Sequence, residues 1–448
     1  MNYGGYPELE PHAPEDEDNI VAALKLSDRV SSISLTATGP LVAKFPAFEE
    51  PFSELEELVL LSHENVHLTL PSTFRWGSRL SILQSTRIAF PSLPQLLLPS
   101  QGLIELQLDE IPSDGYFSPE ALVNALSGMT QLRTLSFHFH SLPSRRNYLS
   151  LPPLPEERVV LPALAHLKYR GTSKYLDCLV ARIDAPHLGD IDITFFNQPT
   201  MAASQLGRFI DRIEIHNTHR QAEILTSERA VSISISHPRA LTRLELGISC
   251  EQFDWQLACL AQICTHFSPF LLRIEYLDIS TTRPSSLQGD VGGDQWVELI
   301  RSFGSAKRFR VAEELATSIL PFLSSTDDDG EHEVWLPALR TLRISGVDWT
   351  GAGLPVEEAV ESFTKSRQLS GSPIEVHPPH MRPQYACTLC NDSFIRQQRL
   401  KEHKRDKHSL PNICPHCGVF KWSQARPYRF TRHLERDHPG VASPGVAF

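Results

Sequence analysis

Apolar residues recur along most of the chain in one short pattern: apolar, two others, apolar, one other, apolar. Each copy predicts a short strand whose alternate side chains point inward, and neighbouring copies must stack because no single copy can bury its apolar side. The copies begin 22 to 33 residues apart, close to the 20–29 residues of a leucine-rich repeat. The twelve copies start at Val30, Leu55, Leu80, Leu103, Leu132, Leu164, Leu188, Ile210, Leu241, Ile274, Ala306 and Leu339. In the copy at Leu80, Ser85 takes the third apolar place.

Segments between the copies carry helical spacing. Ser118 is suited to the N-cap of a helix and Pro119 to its first turn. Apolar residues spaced three and four apart predict further helices around 296–303 and 356–363, and an opening helix over 16–26. Strands that alternate with helices predict an α/β fold, here an irregular leucine-rich-repeat-like solenoid with a parallel sheet.

Composition agrees with a folded protein and excludes several other classes. The 448 residues are 41% hydrophobic and 21% charged, which is typical of globular chains. The mean hydropathy is −0.20 and no uncharged apolar run approaches about 18 residues, so no membrane span is expected. Met1–Asp18 is acidic and lacks the apolar stretch of a signal peptide, so we expect an intracellular protein.

Charge divides the chain in two. Ser372–Phe448 holds twelve Lys and Arg against six Asp and Glu, whereas residues 1–371 hold 30 basic and 47 acidic residues. An acidic body repels phosphates, so any nucleic-acid contact is expected in the basic tail. The tail also holds two C-x-x-C pairs, and in an intracellular chain such pairs followed by histidines indicate metal ligands before disulfides.

The first of these clusters has the spacing C-x2-C-x12-H-x4-H. Two thiolates on a hairpin turn and two imidazoles on a helix can close a tetrahedron around zinc, which would supply the folding free energy of so small a unit. The ligands are Cys387, Cys390, His403 and His408, and the packing residues are Tyr385, Phe394 and Leu400. This segment resembles a C2H2 zinc finger throughout.

A second finger follows with a fingertip three residues longer. Its ligands are Cys414, Cys417, His433 and His438. Phe430 takes the place of the helix leucine, and either Phe420 or Trp422 takes the place of the first aromatic residue. We therefore expect two zinc ions as cofactors.

The C2H2 resemblance implies base contacts from three positions of each finger helix. Counted back from the first histidine of each finger, these positions hold Arg396, Arg399 and Glu402, and Arg426, Arg429 and Arg432. Arginine can bind guanine O6 and N7, so DNA or RNA is one expected partner. The alternative is a module that binds protein only. The short linker at 409–413 favours that alternative, as does the small site of about six base pairs that two fingers would read.

The body also resembles a known family. WVELIRSFGSAKRFRVAEELATSILPFL, from Trp296, and VEEAVESFTKSRQLSGSPIEVH, from Val356, are similar to the C-terminal end of fungal F-box proteins with leucine-rich-repeat-like tails. The resemblance covers residues 14–378, and no F-box precedes it in this sequence. It implies repeats that hold a protein client, in the manner of a ubiquitin-ligase adaptor.

Other chemistry-bearing residues have simpler interpretations. His138 and His140 alternate along a predicted strand, where a strand face is favoured over a metal site. Cys250, Cys259 and Cys264 lack matching histidines and are interpreted as core thiols. The sequence contains no catalytic fingerprint of a hydrolase, metalloprotease or nucleotide-binding enzyme, so no enzyme and no small-molecule substrate are expected.

These observations predict a binding protein made of two parts. The expected domains are a disordered N-terminus at 1–13, the repeat body at 14–376, a linker at 377–384, fingers at 385–408 and 412–438, and a disordered tail at 439–448. The body would bind a protein partner and the fingers nucleic acid, in the nucleus or alternatively in the cytoplasm. In the alternative hypothesis, the chain is an F-box-protein-like client scaffold whose fingers contact protein only.

Overall fold

The computed structural model divides into two compact units, Met1–His377 and Pro378–Phe448. It describes residues 14–45, 50–62, 67–71, 74–140, 157–196, 198, 201–213, 220–236, 242–250, 253–282, 293–324, 335–345 and 354–377 of the first unit. In the second unit it describes 385–386, 393–394, 412–413 and 421–422. The segments expected to be disordered, 1–13 and 439–448, and most of the linker lie outside these residues. Within the described part of the chain, no helix is long and apolar enough to span a bilayer.

The first unit is built on strands that follow the apolar pattern. Its strands are β1 Ser32–Thr36, β2 Glu57–Leu61, β3 Leu68–Thr69, β4 Ile82–Thr86, β5 Ile88–Ala89, β6 Glu105–Ile111, β7 Thr134–Phe139, β8 Val159–Val160, β9 His166–Gly171, β10 Ile183–Asp184, β11 Asp190–Phe196, β12 Gln221–Thr226, β13 Ala230–Ser236, β14 Arg243–Ser249, β15 Tyr276–Thr281, β16 Arg308–Ala312, β17 Thr341–Ser345 and β18 Glu375–His377. The second unit contributes β19 Tyr385–Ala386, β20 Ser393–Phe394, β21 Asn412–Ile413 and β22 Lys421–Trp422.

Helices fill many of the connections between the strands of the first unit. They are α1 Pro14–Leu24, α2 Gly39–Lys44, α3 Leu93–Leu97, α4 Pro119–Leu126, α5 Ser173–Val180, α6 Ser204–Arg212, α7 Phe253–His266, α8 Ser268–Leu271, α9 Gly293–Arg301, α10 Glu313–Leu323 and α11 Leu354–Leu369. The predicted cap is present, because the Ser118 hydroxyl accepts a hydrogen bond of 3.2 Å from the Ala121 N–H at the start of α4. The helices expected around 16–26, 296–303 and 356–363 form as α1, α9 and α11.

One sheet of fourteen strands organises the unit, in the order β1-β2-β4-β6-β7-β9-β11-β14-β13-β12-β15-β16-β17-β18. Successive copies of the pattern pair in parallel and in the same register, so that Leu58 lies opposite Leu83 and Leu167 opposite Ile191. From β2 to β17 the inward residues form two continuous rows that are at most 3% exposed, and they share one hydrophobic core with the helices. A mixed α/β architecture with a large, mostly parallel sheet is therefore the fold, as expected.

Ser85 is a polar residue in the inward row of the apolar pattern. It takes its predicted place in the inward row of β4, between Leu60 and Leu108 on the neighbouring strands. It is 3% exposed, and its hydroxyl has no hydrogen-bond partner among the described residues. A hydroxyl in this position gives up hydrogen bonds to water that the apolar row does not replace.

The sequence-based strand at Ile210 is wrong. Ile210 lies in α6, where Leu206, Phe209 and Ile210 form a buried helical face, and Ile213 follows the end of that helix. The chain then forms the antiparallel strands β12, β13 and β14 before it resumes the parallel order at β15. The physical reason is the strict alternation of AVSISIS at 230–236, which buries three apolar side chains on one face and turns serines to the other.

The second unit contains two small antiparallel hairpins in its described residues. In the first, Tyr385 pairs with Phe394 and Ala386 with Ser393. In the second, Asn412 pairs with Trp422 and Ile413 with Lys421.

Candidate interaction surface and candidate zinc sites

The face of the large sheet opposite the leucine rows is polar, and we call it the open face. Strand geometry places every second residue there, so the residues between the inward positions line up across neighbouring strands. Along the middle of this face, one register row runs through the centre of the sheet, and we call it the charged row. From β9 to β17 it consists of Lys168, Asp192, Glu245, Ser234, Glu223, Asp278, Arg310 and Arg343.

Charges of the same sign are neighbours in this row. Asp192 lies directly opposite Glu245, Glu223 directly opposite Asp278, and Arg310 directly opposite Arg343. Like charges directly opposite one another destabilise a sheet, whereas alternating signs would stabilise it. The row is thus separated into four carboxylates on one side and two guanidinium groups on the other, with Lys168 beyond the carboxylates.

Few ion pairs compensate this arrangement. Asp278 lies 3.2 Å from Arg310, and Glu245 pairs with Arg243 of its own strand. Among the described residues, Glu223 and Arg343 form no ion pair within 4 Å. Glu223 and Arg343 are therefore charges of this row that a ligand could pair with.

Two of the four carboxylates of the row are largely shielded from water, whereas Glu223 is exposed. The side chains of Glu245 and Asp278 are 14% and 11% exposed. Burial raises the pKa of Glu245; Arg243 opposes the rise and Asp192 adds to it. Burial likewise raises the pKa of Asp278, with Arg310 opposing and Glu223 adding to the rise. A cation that docked here would be attracted in a medium less polar than bulk water, where the same charges interact more strongly.

His138 of β7 occupies this face as a strand position predicts, and His140 follows the end of the strand. His138 Nδ1 lies 2.8 Å from Asp109 Oδ1 on the neighbouring strand. The His140 ring meets the His67 ring edge to face, with centroids 4.9 Å apart. In the described part of the chain, no three His, Cys, Asp or Glu side chains form a group that could hold a metal ion.

The body cysteines lie where the sequence predicts. Cys250, Cys259 and Cys264 are at most 8% exposed, and Cys178 is half-buried. All four are free thiols. Burial raises the pKa of Cys264 to about 12 and that of Cys178 to about 11, so both remain protonated near neutral pH.

The described strands of the second unit form two hairpins. In the sequence, one C-x-x-C pair lies between the two strands of each hairpin. The pairing bears on the register expected for the second finger. Tyr385 and Asn412 each stand two residues before a first cysteine, and their partners are Phe394 and Trp422, so Trp422 rather than Phe420 corresponds to Phe394 in the pairing of the hairpins.

This register locates the additional residues of the second finger. Trp422 is the fifth residue after Cys417, whereas Phe394 is the fourth after Cys390, so one extra residue lies in the hairpin. The other two lie between the aromatic residue and the first histidine, because His403 is the ninth residue after Phe394 whereas His433 is the eleventh after Trp422.

The predicted side-chain sites of this unit lie outside the described residues. They are the zinc ligands Cys387, Cys390, His403, His408, Cys414, Cys417, His433 and His438, and the base-contacting positions Arg396, Arg399, Glu402, Arg426, Arg429 and Arg432. These positions stay predictions from the sequence.

Comparisons with known proteins add a similarity for the body alone. No family model matches the chain, and no curated protein is found to be similar to it. One similar solved structure is the leucine-rich repeat-containing protein LegL7 from Legionella pneumophila, which is 11% identical. The match covers 79% of this chain and 96% of that one, with a TM-score of 0.29. So distant a likeness carries no functional conclusion, and the resemblances to zinc fingers and F-box proteins remain expectations.

Proposed function

We propose that the chain is a binding protein without catalytic activity, in which the repeat body is a protein-interaction scaffold and the tail carries two zinc fingers that contact nucleic acid. The observation that supports the first part is the open face. Stacked repeats create extended surfaces of this kind, on which side chains from many strands contact one partner. Its rows of charged and polar groups are held rigidly by the leucine core behind them.

The observation that supports the second part is the pair of hairpins around the C-x-x-C segments. Zinc would be held by Cys387, Cys390, His403 and His408 in one finger and by Cys414, Cys417, His433 and His438 in the other. The ion would supply the folding free energy that a unit of this size lacks. The six helix positions named above would then face bases, and the tail's other Lys and Arg residues the phosphates. This activity favours the nucleus over the cytoplasm as the place of action.

Zinc content and nucleic-acid binding test the fingers in the full chain. We expect two zinc ions per chain, and one after either Cys387→Ser or Cys414→Ser. Duplex DNA or RNA should bind, and its affinity should fall steeply between two salt concentrations because phosphate contacts release counterions. Arg396→Ala combined with Arg399→Ala should remove base preference. An affinity for nucleic acid that changes neither with salt nor with these substitutions would refute nucleic-acid recognition by the fingers.

The second candidate function is the client scaffold with fingers that contact protein only, and the short linker at 409–413 favours it. Two zinc ions without any nucleic-acid binding would support this candidate.

A blocking substitution on the open face tests the body. Ser234 lies at the centre of the charged row, so Ser234→Trp places a bulky side chain there. Gln262→Trp, on the exposed side of α7, is the matched control. Partners bound by the wild type and by the control, but not by Ser234→Trp, would support the proposal. Identical partners for all three proteins would contradict it.

A further inference from the structure

The separation of charge along the open face suggests what kind of partner segment it binds. Stability alone does not account for three pairs of like-charged neighbours in a single row, because each such pair costs folding free energy. The same residues in alternating order would carry the same net charge with favourable cross-strand pairs. An arrangement that opposes folding and leaves Glu223 and Arg343 without an ion pair among the described residues points to a charged ligand.

We propose that the charged row binds an extended segment of a partner protein in which a block of Lys or Arg residues is followed directly by a block of Asp or Glu residues. The basic block would lie over Asp192, Glu245, Glu223 and Asp278, and the acidic block over Arg310 and Arg343. This inference rests on the proposed use of the open face for protein binding.

The spacing of the strands sets the length of the segment. The four carboxylates extend from β11 to β15, across four inter-strand gaps. At about 4.8 Å per gap this is about 19 Å, which an extended chain covers in about six residues. The two arginines are on the next two strands, so the acidic block begins immediately after the basic block and needs about three residues.

Both blocks are needed for this surface to select its partner. A purely basic segment would satisfy the carboxylates but leave Arg310 and Arg343 facing it with the same sign. A purely acidic segment would be repelled by four carboxylates, two of which are shielded from water. Charge complementarity of this kind chiefly excludes wrong partners and sets the register of the correct one.

Three labelled synthetic peptides test the proposal against the full-length protein at low salt. The block peptide carries one lysine for each of the four carboxylates, followed by one glutamate for each arginine. The mixed peptide has the same composition with each of the two glutamates placed between lysines, and the lysine peptide has glutamine in place of glutamate. Fluorescence anisotropy should show the block peptide binding at least about tenfold tighter than either of the others, an advantage that added salt reduces.

Substitutions locate the binding. Glu223→Gln combined with Glu245→Gln, and separately Arg343→Gln, should each weaken the block peptide about tenfold. The matched controls are Glu358→Gln combined with Glu361→Gln on α11, and Arg208→Gln on α6; all three control residues are exposed, and binding should change less than about twofold. Thermal unfolding of each variant checks that the body is intact.

Three outcomes would overturn the proposal: no binding of the block peptide, equal binding of all peptides, or binding that the row substitutions leave unchanged. The partner experiment with Ser234→Trp separates this failure from a failure of the proposed function. Partners lost with Ser234→Trp but retained by both row variants would mean that the open face binds protein without using the separated charges. Partners retained by every variant would remove the proposed function as well.

Discussion

The repeat body and the C-terminal unit are expected to reach a folded state by different means. In the body, one core extends from Leu24 to Phe363, and each described strand of five or more residues contributes only two to four buried side chains. In the C-terminal unit, the described strands have two residues each, and eight predicted ligands concentrate the expected folding free energy at two points. The comparison teaches that loss of one buried leucine should weaken the body by degrees, whereas loss of one ligand should unfold a finger outright.

Metal removal should produce the largest difference in stability between the two units. A chelator withdraws an ion whose apparent binding free energy in zinc-finger peptides is about 10–16 kcal/mol, so the C-terminal unit should unfold. Amide hydrogen exchange should show its protection lost while the body keeps its own. The body thiols serve as an internal control, because Cys178→Ser should leave two zinc ions per chain. A body that unfolds together with the fingers would contradict the division.

A substitution in the leucine core should destabilise the body and leave the fingers unchanged. Leu167 is fully buried in the central row, so Leu167→Ala should lower the free energy of unfolding of the body by about 2–5 kcal/mol. Lys168→Ala, the next residue on the open face, should change it by no more than about 0.5 kcal/mol. Denaturant unfolding measures both values, and zinc content should be the same in both variants. Equal effects of the two substitutions would mean that the two faces of the sheet are misassigned.

The helix α6, which replaces the strand expected at Ile210, allows a more specific test of packing in the body. Gly207 lies in α6, where a Cβ atom would stand 2.5 Å from the carbonyl oxygen of His266. An isolated helix gains about 0.5–1 kcal/mol from Gly→Ala, but here the close approach to α7 should reverse the sign and cost about 1–3 kcal/mol. Arg208→Ala, on the exposed side of the same helix, is the control. A stabilised Gly207→Ala protein would show that this helix packs differently.

Most of the body could be predicted because its signal is repeated. A strand that buries Leu106 and Leu108 is one ambiguous apolar run, but twelve similar runs at similar spacing admit few other folds. The exception at Ile210 arose because its apolar spacing fits the helical period as well as the strand pattern, and the tertiary position of α6 decided between them. The alternation at 230–236 was visible in the sequence and would have indicated an extra strand.

The charged row could not be predicted in the same way. Asp192, Glu245, Glu223 and Asp278 are far apart in sequence, and their order across the sheet depends on the antiparallel insertion, which reverses the order of β12, β13 and β14. Had these strands followed chain order, Glu223 would lie beside Asp192. The predicted zinc ligands are the opposite case, since the spacing within one short segment is enough to predict the chemistry.

Acid should affect the two regions in opposite directions, and Glu245 provides the smallest and most specific test. Burial raises the pKa of Glu245 above its ordinary value of 4.5, so its ionised form costs folding free energy at neutral pH. This cost is fully present above the folded-state pKa and disappears as the pH falls through that pKa towards 4.5. Glu245→Gln should therefore be more stable than the wild type at pH 7, by up to about 1 kcal/mol, and the two should converge near pH 4.5.

Over the same range the fingers should lose zinc, because protonation of their histidines competes with the metal. Denaturant unfolding of the body at several pH values measures the first effect, and zinc content measures the second. Glu358→Gln, an exposed carboxylate on α11, should show no such pH-dependent difference. A Glu245→Gln protein that is less stable than the wild type at pH 7 would mean that the pair with Arg243 outweighs burial and the neighbouring carboxylates, and the charged row would then not be held at a cost to the fold.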